Sequence, residues 1–185
     1  MKKIISLLLV FVFGLSSCEK DDICDPSTPT TPRLVIAFYD ANNPSALKNV
    51  TNLKVIGKDQ PEGIIFNQSG TEITKYLANG NTISIPLRTN EDFSTFTFIL
   101  DSQNENPAAK NTDEVRFNYT RQNVYVSRAC GFKTIFALNP PSDGPPLSTP
   151  FIQFDTDSNG LWMKQIFVKK YNIETENETH LEVYF

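Results

Sequence analysis

Histidine and tryptophan each occur once in this chain, as His180 and Trp162, and only two methionines are present. A Ser-His-acid triad would have to use His180 as its base, yet no Gly-x-Ser-x-Gly elbow presents a serine for it. Basic residues number 17 against 21 acids, with no basic stripe, so the counterion-displacing surface that nucleic acid requires is missing. The same balance argues against an electrostatic grip on a membrane. Long windows of Ala, Leu, Glu and Lys are absent, and no segment repeats, which excludes a helical bundle and a solenoid. The apolar run from Ile4 to Phe13 extends only about ten residues, too short to span a bilayer. What the chain does have is 14 Phe and 6 Tyr set among Val, Ile and Thr, a composition that favours strands and an all-β fold.

The first eighteen residues carry an address. Met1-Lys2-Lys3 is a positive n-region, Ile4 to Phe13 is an apolar h-region, and Leu15-Ser16-Ser17-Cys18 follows. That stretch resembles the lipobox of bacterial lipoproteins, in which cleavage precedes a cysteine that keeps a diacylglycerol and an acylated amine. The resemblance implies that residues 1–17 are a removable signal peptide and that Cys18 is lipidated. Two or more acyl chains, at roughly 0.8 kcal/mol per buried methylene, hold a protein firmly at a membrane surface. Glu19-Lys20-Asp21-Asp22 comes next and resembles the export tag that carries Bacteroidota lipoproteins to the outward face of the outer membrane. The alternative is the periplasmic face, with the tetrapeptide merely solvating the tether. Removal of residues 1–17 leaves 168 residues and takes away Lys2 and Lys3, so 15 basic residues face 21 acids and the net charge is −6.

Three cysteines leave an odd thiol in an exported protein. Lipidation of Cys18 removes the anomaly and leaves Cys24 and Cys130, for which an oxidising compartment makes a disulfide the natural expectation. With those two paired, one histidine is too little for a structural zinc site. Residues 18–33 are rich in Pro and Thr and form a tether that could hold the domain roughly 45 Å from the lipid when extended. A Cys24–Cys130 bridge would leave only Glu19 to Ile23 free and cut that reach to roughly 20 Å. The domain would then sit almost on the membrane, which suits partnership with another envelope protein.

Residues 34–185 form one domain of about 150 residues. Leu34 to Asp40 is a buried first strand, and Ala41-Asn42-Asn43-Pro44-Ser45 a turn. Leu53 to Gly57 and Gly63 to Phe66 are two further strands. Glu72 to Ala78 and Thr82 to Leu87 flank Asn79-Gly80, the sequence of a type I′ hairpin. In Phe93 to Asp101 the set Ser94, Phe96, Phe98 and Leu100 is the core face. Gln103 to Asp113 is a polar loop. Val115, Phe117 and Tyr119 mark a half-buried strand, and Val124 to Val126 and Phe132 to Leu138 continue the sheet. The four prolines in residues 139–146 make an exposed, stiff connector, with a proline-binding partner as the lesser reading. Phe151 to Asp155 and Leu161 to Tyr171 form a second hairpin around Asn159-Gly160, and His180 to Phe185 is the last strand. About nine strands point to a two-sheet, Ig-like β-sandwich, with a small β-barrel as the alternative.

Few residues suggest chemistry. Asp155-Thr156-Asp157-Ser158-Asn159-Gly160 begins like a calcium loop, with oxygen ligands at alternate positions, but Ile166 stands where the bidentate acid belongs. A polar turn is the preferred reading, and Asp155, Asp157 and Asn159 remain a weak calcium candidate. His180 alternates with Leu181 and Val183 and is expected to face solvent. Trp162 with the Tyr residues could form a sugar-stacking platform, but its apolar neighbours favour a core role. Paired carboxylates for glycoside hydrolysis would leave no mark in the sequence.

Three stretches together, Cys24-Asp25-Pro26 through Arg33-Leu34, Ala129-Cys130-Gly131-Phe132, and Asn177-Glu178 with His180 through Phe185, resemble an uncharacterised family of Bacteroidota lipoproteins, a domain of unknown function. The resemblance implies a small exported β domain, supports pairing Cys24 with Cys130, and carries over no catalytic residue. The expectation is therefore an outer-membrane lipoprotein facing outward, a non-catalytic binding or accessory module of an envelope complex. It needs no cofactor beyond the lipid on Cys18. The alternatives are a small carboxylate-dependent hydrolase and a carbohydrate-binding module.

Overall fold

A computed structural model describes residues 23–28, 30–141 and 149–185. The fold is a two-sheet β-sandwich with no closed barrel. One sheet runs β10 (Gln165–Val168), β12 (Leu181–Tyr184), β1 (Leu34–Asp40), β2 (Asn43–Leu47), with β5 (Thr82–Ile85) also paired to β1. The pairing of β1 with β12 is parallel. The other sheet runs β11 (Asn172–Ile173), β8 (Gly131–Leu138), β7 (Asn111–Ser127), β6 (Phe93–Leu100), β3 (Leu53–Gly57), β4 (Leu77–Ala78), with β9 (Phe151–Asp155) against β7.

Alternating side chains fill the space between the sheets, as a period of two requires. Leu34, Ile36 and Phe38 of β1 and Leu181 and Val183 of β12 meet Phe96, Phe98, Val115, Phe117 and Tyr119 from the facing sheet. Ser94, Phe96 and Phe98 are buried and Leu100 packs on the core's margin, the face expected from the alternation. The Tyr119 hydroxyl, sealed in this layer, is satisfied by Ser94 Oγ at 2.7 Å and the Arg88 carbonyl at 2.9 Å. Burial pushes its pKa up to about 12. Trp162 is a core residue, stacked at 6.2 Å on Phe38 and edge-on to Phe185 at 5.4 Å.

Both Asn-Gly turns differ from expectation in the same way. At Asn79-Gly80 the chain leaves β4, which pairs with β3, and enters β5, which pairs with β1 in the opposite sheet. Neither Asn79 nor Gly80 has positive φ, so no type I′ turn forms. Instead Asn79 Oδ1 accepts the Asn52 N–H, the Gly80 carbonyl accepts that of Val50, and the Asn81 carbonyl accepts that of Phe38. At Asn159-Gly160 the chain likewise passes from β9, on β7, to β10, on β12, although here Gly160 does adopt a φ of +84°. Apolar residues flank both turns, and an arch buries them between the sheets where a hairpin would bury them in one.

Other segments also depart from the sequence reading. Glu72 to Tyr76 is no strand: the N–H groups of Thr71 and Thr74 each donate to the other's hydroxyl, and a 3-10 turn forms at Thr74–Tyr76. Gly63 meets β3 at one bridge, after which the N–H groups of Phe66 and Asn67 both turn to the Lys75 carbonyl. Asn43–Leu47, expected in part as a turn, is a strand beside β1, an edge position in which Pro44 costs no ladder bond. The strands expected at 115–120 and 124–126 are one, β7, seventeen residues long. Of the proline-rich connector, residues 142–148 lie outside the described residues.

His180 reverses its expected placement. It is fully buried, its N–H donates to the Val35 carbonyl at 3.0 Å, and its Nδ1 accepts the Val35 N–H at 3.0 Å. Burial lowers its pKa below 6.5, while Glu178, Glu176 and the Thr175 carbonyl act the other way. A proton on Nδ1 would also set a donor against the Val35 N–H. The unfolded chain therefore binds a proton that the folded one resists, and stability held above about pH 6.5 falls as pH drops below it. Asp113 works in the opposite sense, since burial raises its pKa. The thermal midpoint should fall between pH 7.5 and 5, and His180→Asn, which keeps an acceptor but does not titrate, should flatten that fall. Circular-dichroism melts with equal slopes in both proteins would refute the assignment.

Candidate functional site

Three surfaces stand out, and the first is made by the N-terminal arm. Cys24 is disulfide-bonded to Cys130, with the Cα atoms 4.8 Å apart. Cys130 lies in the turn between β7 and β8, where its N–H donates to Ser127 Oγ and Gly131 takes a left-handed φ of +69° that favours glycine. From Cys24 the arm runs back along the outer edge of β8. Thr31 Oγ1 accepts the Thr134 N–H at 3.0 Å, Pro32 is buried, and the Arg33 N–H donates to Glu176 at 3.0 Å. The last part of the expected tether is therefore part of the folded body. Cys18 and Glu19, Lys20, Asp21 and Asp22 lie outside the described residues.

The second surface is a row of aromatics on the outer face of the five-stranded sheet. Inward residues of β12 alternate with Glu182 and Tyr184, which point outward, and parallel register sets Tyr184 beside Tyr39 of β1. The two rings stack at 5.2 Å with 22° between planes, and Phe167 of β10 meets Tyr184 edge-on at 5.6 Å. Leu47 of β2 stands opposite Tyr39 and extends the row. Phe167 and Leu47 are 52% and 53% exposed. Glu182 closes one side, accepting from Lys169 Nζ at 2.6 Å and from the Tyr184 hydroxyl at 3.3 Å. Sequence reasoning passed over this row. Its signal was there: outward positions that should be polar in a solvated sheet are aromatic at Tyr39, Phe167 and Tyr184.

A cleft of 460 Å³ lies between the segment after β3 and the approach to β6. Ile64, Leu87 and Phe96 contribute its apolar lining, and Arg33, Lys58 and Arg88 contribute positive charge. Arg88 is already engaged by Glu91 and Asp59 and by the Lys58 carbonyl. Glu62 is the one carboxylate on the lining, and it accepts the Tyr76 hydroxyl. That bond raises the Tyr76 pKa.

The residues singled out in sequence do not converge. Asp155 accepts the N–H groups of Asp157, Ser158 and Gly160, at 3.2, 2.8 and 2.9 Å. Asp157 accepts those of Thr112 and Asn159, at 2.7 and 3.1 Å. These carboxylates thus brace the arch between β9 and β10. Among the described residues no group of three or more His, Cys, Asp or Glu is placed to hold a metal ion. Asp113, opposite Asp155 in register, is buried and accepts from the Met163 N–H and Gln153 Nε2, which leaves its Oδ1 without a partner. Trp162 is too deep to stack on a sugar, and no described helix is long and apolar enough to cross a membrane.

Sandwich, staple and aromatic row define a small all-β domain with an open sheet face. The chain belongs to the family of unknown function DUF6452, whose model matches residues 52–185. No curated protein and no solved structure matches it.

The staple spans 106 residues of chain. In the chain-entropy model such a loop contributes roughly 4 to 5 kcal/mol, so the double variant Cys24→Ser/Cys130→Ser should lose about 2–5 kcal/mol. Urea unfolding of the two proteins measures the difference, and equal midpoints would show that the bridge restrains little.

Proposed function

We propose that this protein is a lipid-anchored module of the cell envelope that binds another envelope protein and catalyses nothing itself. Cys18 carries the lipid, residues 1–17 are the removed signal, and Glu19-Lys20-Asp21-Asp22 directs the domain to the outer membrane, facing outward. The Cys24–Cys130 bridge supports this reading on two counts. It belongs to an oxidising compartment. It also leaves only Glu19 to Ile23 between the lipid and the folded body, a reach of roughly 20 Å.

The observation that carries the binding role is the aromatic row. A solvated sheet has no use for Phe167, Tyr184, Tyr39 and Leu47 on its outer face, whereas protein interfaces are enriched in such anchors. The stacking of Tyr39 on Tyr184 also selects among ligands. A sugar ring needs a free aromatic face, and here Tyr39 and Tyr184 each turn one face to the other while Phe167 meets Tyr184 edge-on, which leaves less face to offer. That geometry suits a protein surface. Glu182, paired with Lys169 beside the row, supplies polar contacts at its rim.

A photo-crosslinking residue at position 167 in living cells tests this directly. It should capture one membrane-embedded partner that the same probe at the exposed position 120 does not, and Tyr184→Glu should abolish the capture. Cys18→Ser should leave the membrane fraction and lose the partner as well. A lipid-free native protein, or identical capture patterns at 167 and 120, would contradict the proposal.

A further inference from the structure

We infer that the tip of the β7–β8 hairpin is a second membrane contact, an aromatic wedge that rests in the interfacial layer of the bilayer carrying the anchor. This rests on the lipid-anchor reading above, and it goes beyond that reading by assigning a lipid-binding site to the folded domain.

The hairpin projects past its neighbours. β7 pairs with β6 only up to Asn118 and with β9 only up to Phe117, whereas its pairing with β8 continues to Ser127. At the far end Tyr125 stands opposite Phe132, the two rings edge-on at 5.5 Å. They are 56% and 68% exposed, although nothing in a free ribbon requires aromatics there. Ile23, beside the staple, is 83% exposed and adds a third apolar side chain.

Charge agrees with this placement. The mature chain is acidic, yet from Val115 to Ser142 there is no Asp or Glu, and Arg116, Arg121, Arg128 and Lys133 all fall within that stretch. Arg121 is paired with Asp92 and Arg116 lies over the Phe93 ring, both toward the base of the hairpin. Lys133, opposite Val124 in register, lies close to the tip, where anionic headgroups would meet it. Aromatic and aliphatic side chains flanked by cations are the composition of an interfacial contact.

The occupant follows from the length of chain. Cys24 is fixed to the tip, and five residues separate it from Cys18. That span holds the tip within roughly 20 Å of the glycerol backbone whatever the domain's orientation. No other part of the fold is confined so closely to the bilayer, so Tyr125 and Phe132 have lipid as their nearest extended neighbour.

Depth-dependent fluorescence quenching tests the inference on the full lipidated protein, reconstituted into vesicles of phosphatidylethanolamine and phosphatidylglycerol with brominated acyl chains. Trp162 is buried and serves as a shielded background. Phe132→Trp and, independently, Tyr125→Trp place a probe at the tip. Phe154→Trp places one opposite Glu114, eleven residues down β7 from Tyr125 and roughly 35 Å away. A side chain seated at the headgroup–acyl boundary should lose about half of its emission, with a blue shift, while the probe at position 154 keeps its own. Vesicles that float with the protein but leave both tip probes unquenched would overturn the wedge and leave the anchor standing. Tip probes that crosslink to a protein in cells while unquenched in vesicles would overturn it in favour of a protein contact. Failure of the protein to float would overturn the anchor and the wedge together.

Discussion

The covalent bond between Cys24 and Cys130 joins a segment that precedes the first strand to the turn between β7 and β8. Much of what is distinctive in the molecule follows from where that bond pulls the chain. With Cys24 held at the hairpin tip, the arm has to travel along β8 to reach β1, and Thr31, Pro32 and Arg33 find partners on the way. The segment after β11 closes over the same region, where Glu176 receives the Arg33 N–H and His180 satisfies both backbone groups of Val35. A neutral imidazole can accept at one nitrogen while remaining uncharged in the core, which few side chains of that size offer. The start of the parallel β1–β12 pair is thus tied from two directions.

The remainder of the sandwich is held by sheet crossings. Two of these crossings, the arches at residues 79–81 and 156–164, each deliver apolar residues directly into the core. Trp162 and Met163 enter from the second arch and fill the space against Phe38 and Phe185. Asp155 and Asp157, an apparent start of a cation loop, instead accept four backbone N–H groups of the arch and that of Thr112 at the start of β7. Their chemistry is used in supporting the turn.

What the sequence reveals and what it conceals separate along physical lines. The disulfide is legible because, with Cys18 set aside by its lipobox-like setting, cysteine counting leaves two thiols and one pairing. The core faces of β6, β7 and β12 are legible because a period of two needs no knowledge of partners. The two Asn-Gly sites mislead because turn chemistry reports that a chain bends, while the sheet it bends into depends on distant strands. His180 misleads because parity applies within a ladder, and β12 begins one residue later, at Leu181. The aromatic row escapes because its members come from three strands and meet only through the pairing of β12 with both β1 and β10. Residues 1–22, on which the lipobox and export-tag resemblances rest, lie outside the described residues.

Under the proposed anchoring, the Cys24–Cys130 bridge converts a long tether into a short one and so holds the domain against the membrane. Neutron reflectometry on a supported bilayer carrying the mature lipidated protein measures that gap. Protein density should begin within roughly 20 Å of the headgroups in the oxidised state. On addition of reductant the layer should move outward or broaden, toward a limit of roughly 40 Å set by the chain between Cys18 and the arm's next fixed point near Thr31. A density profile identical in both states would contradict it.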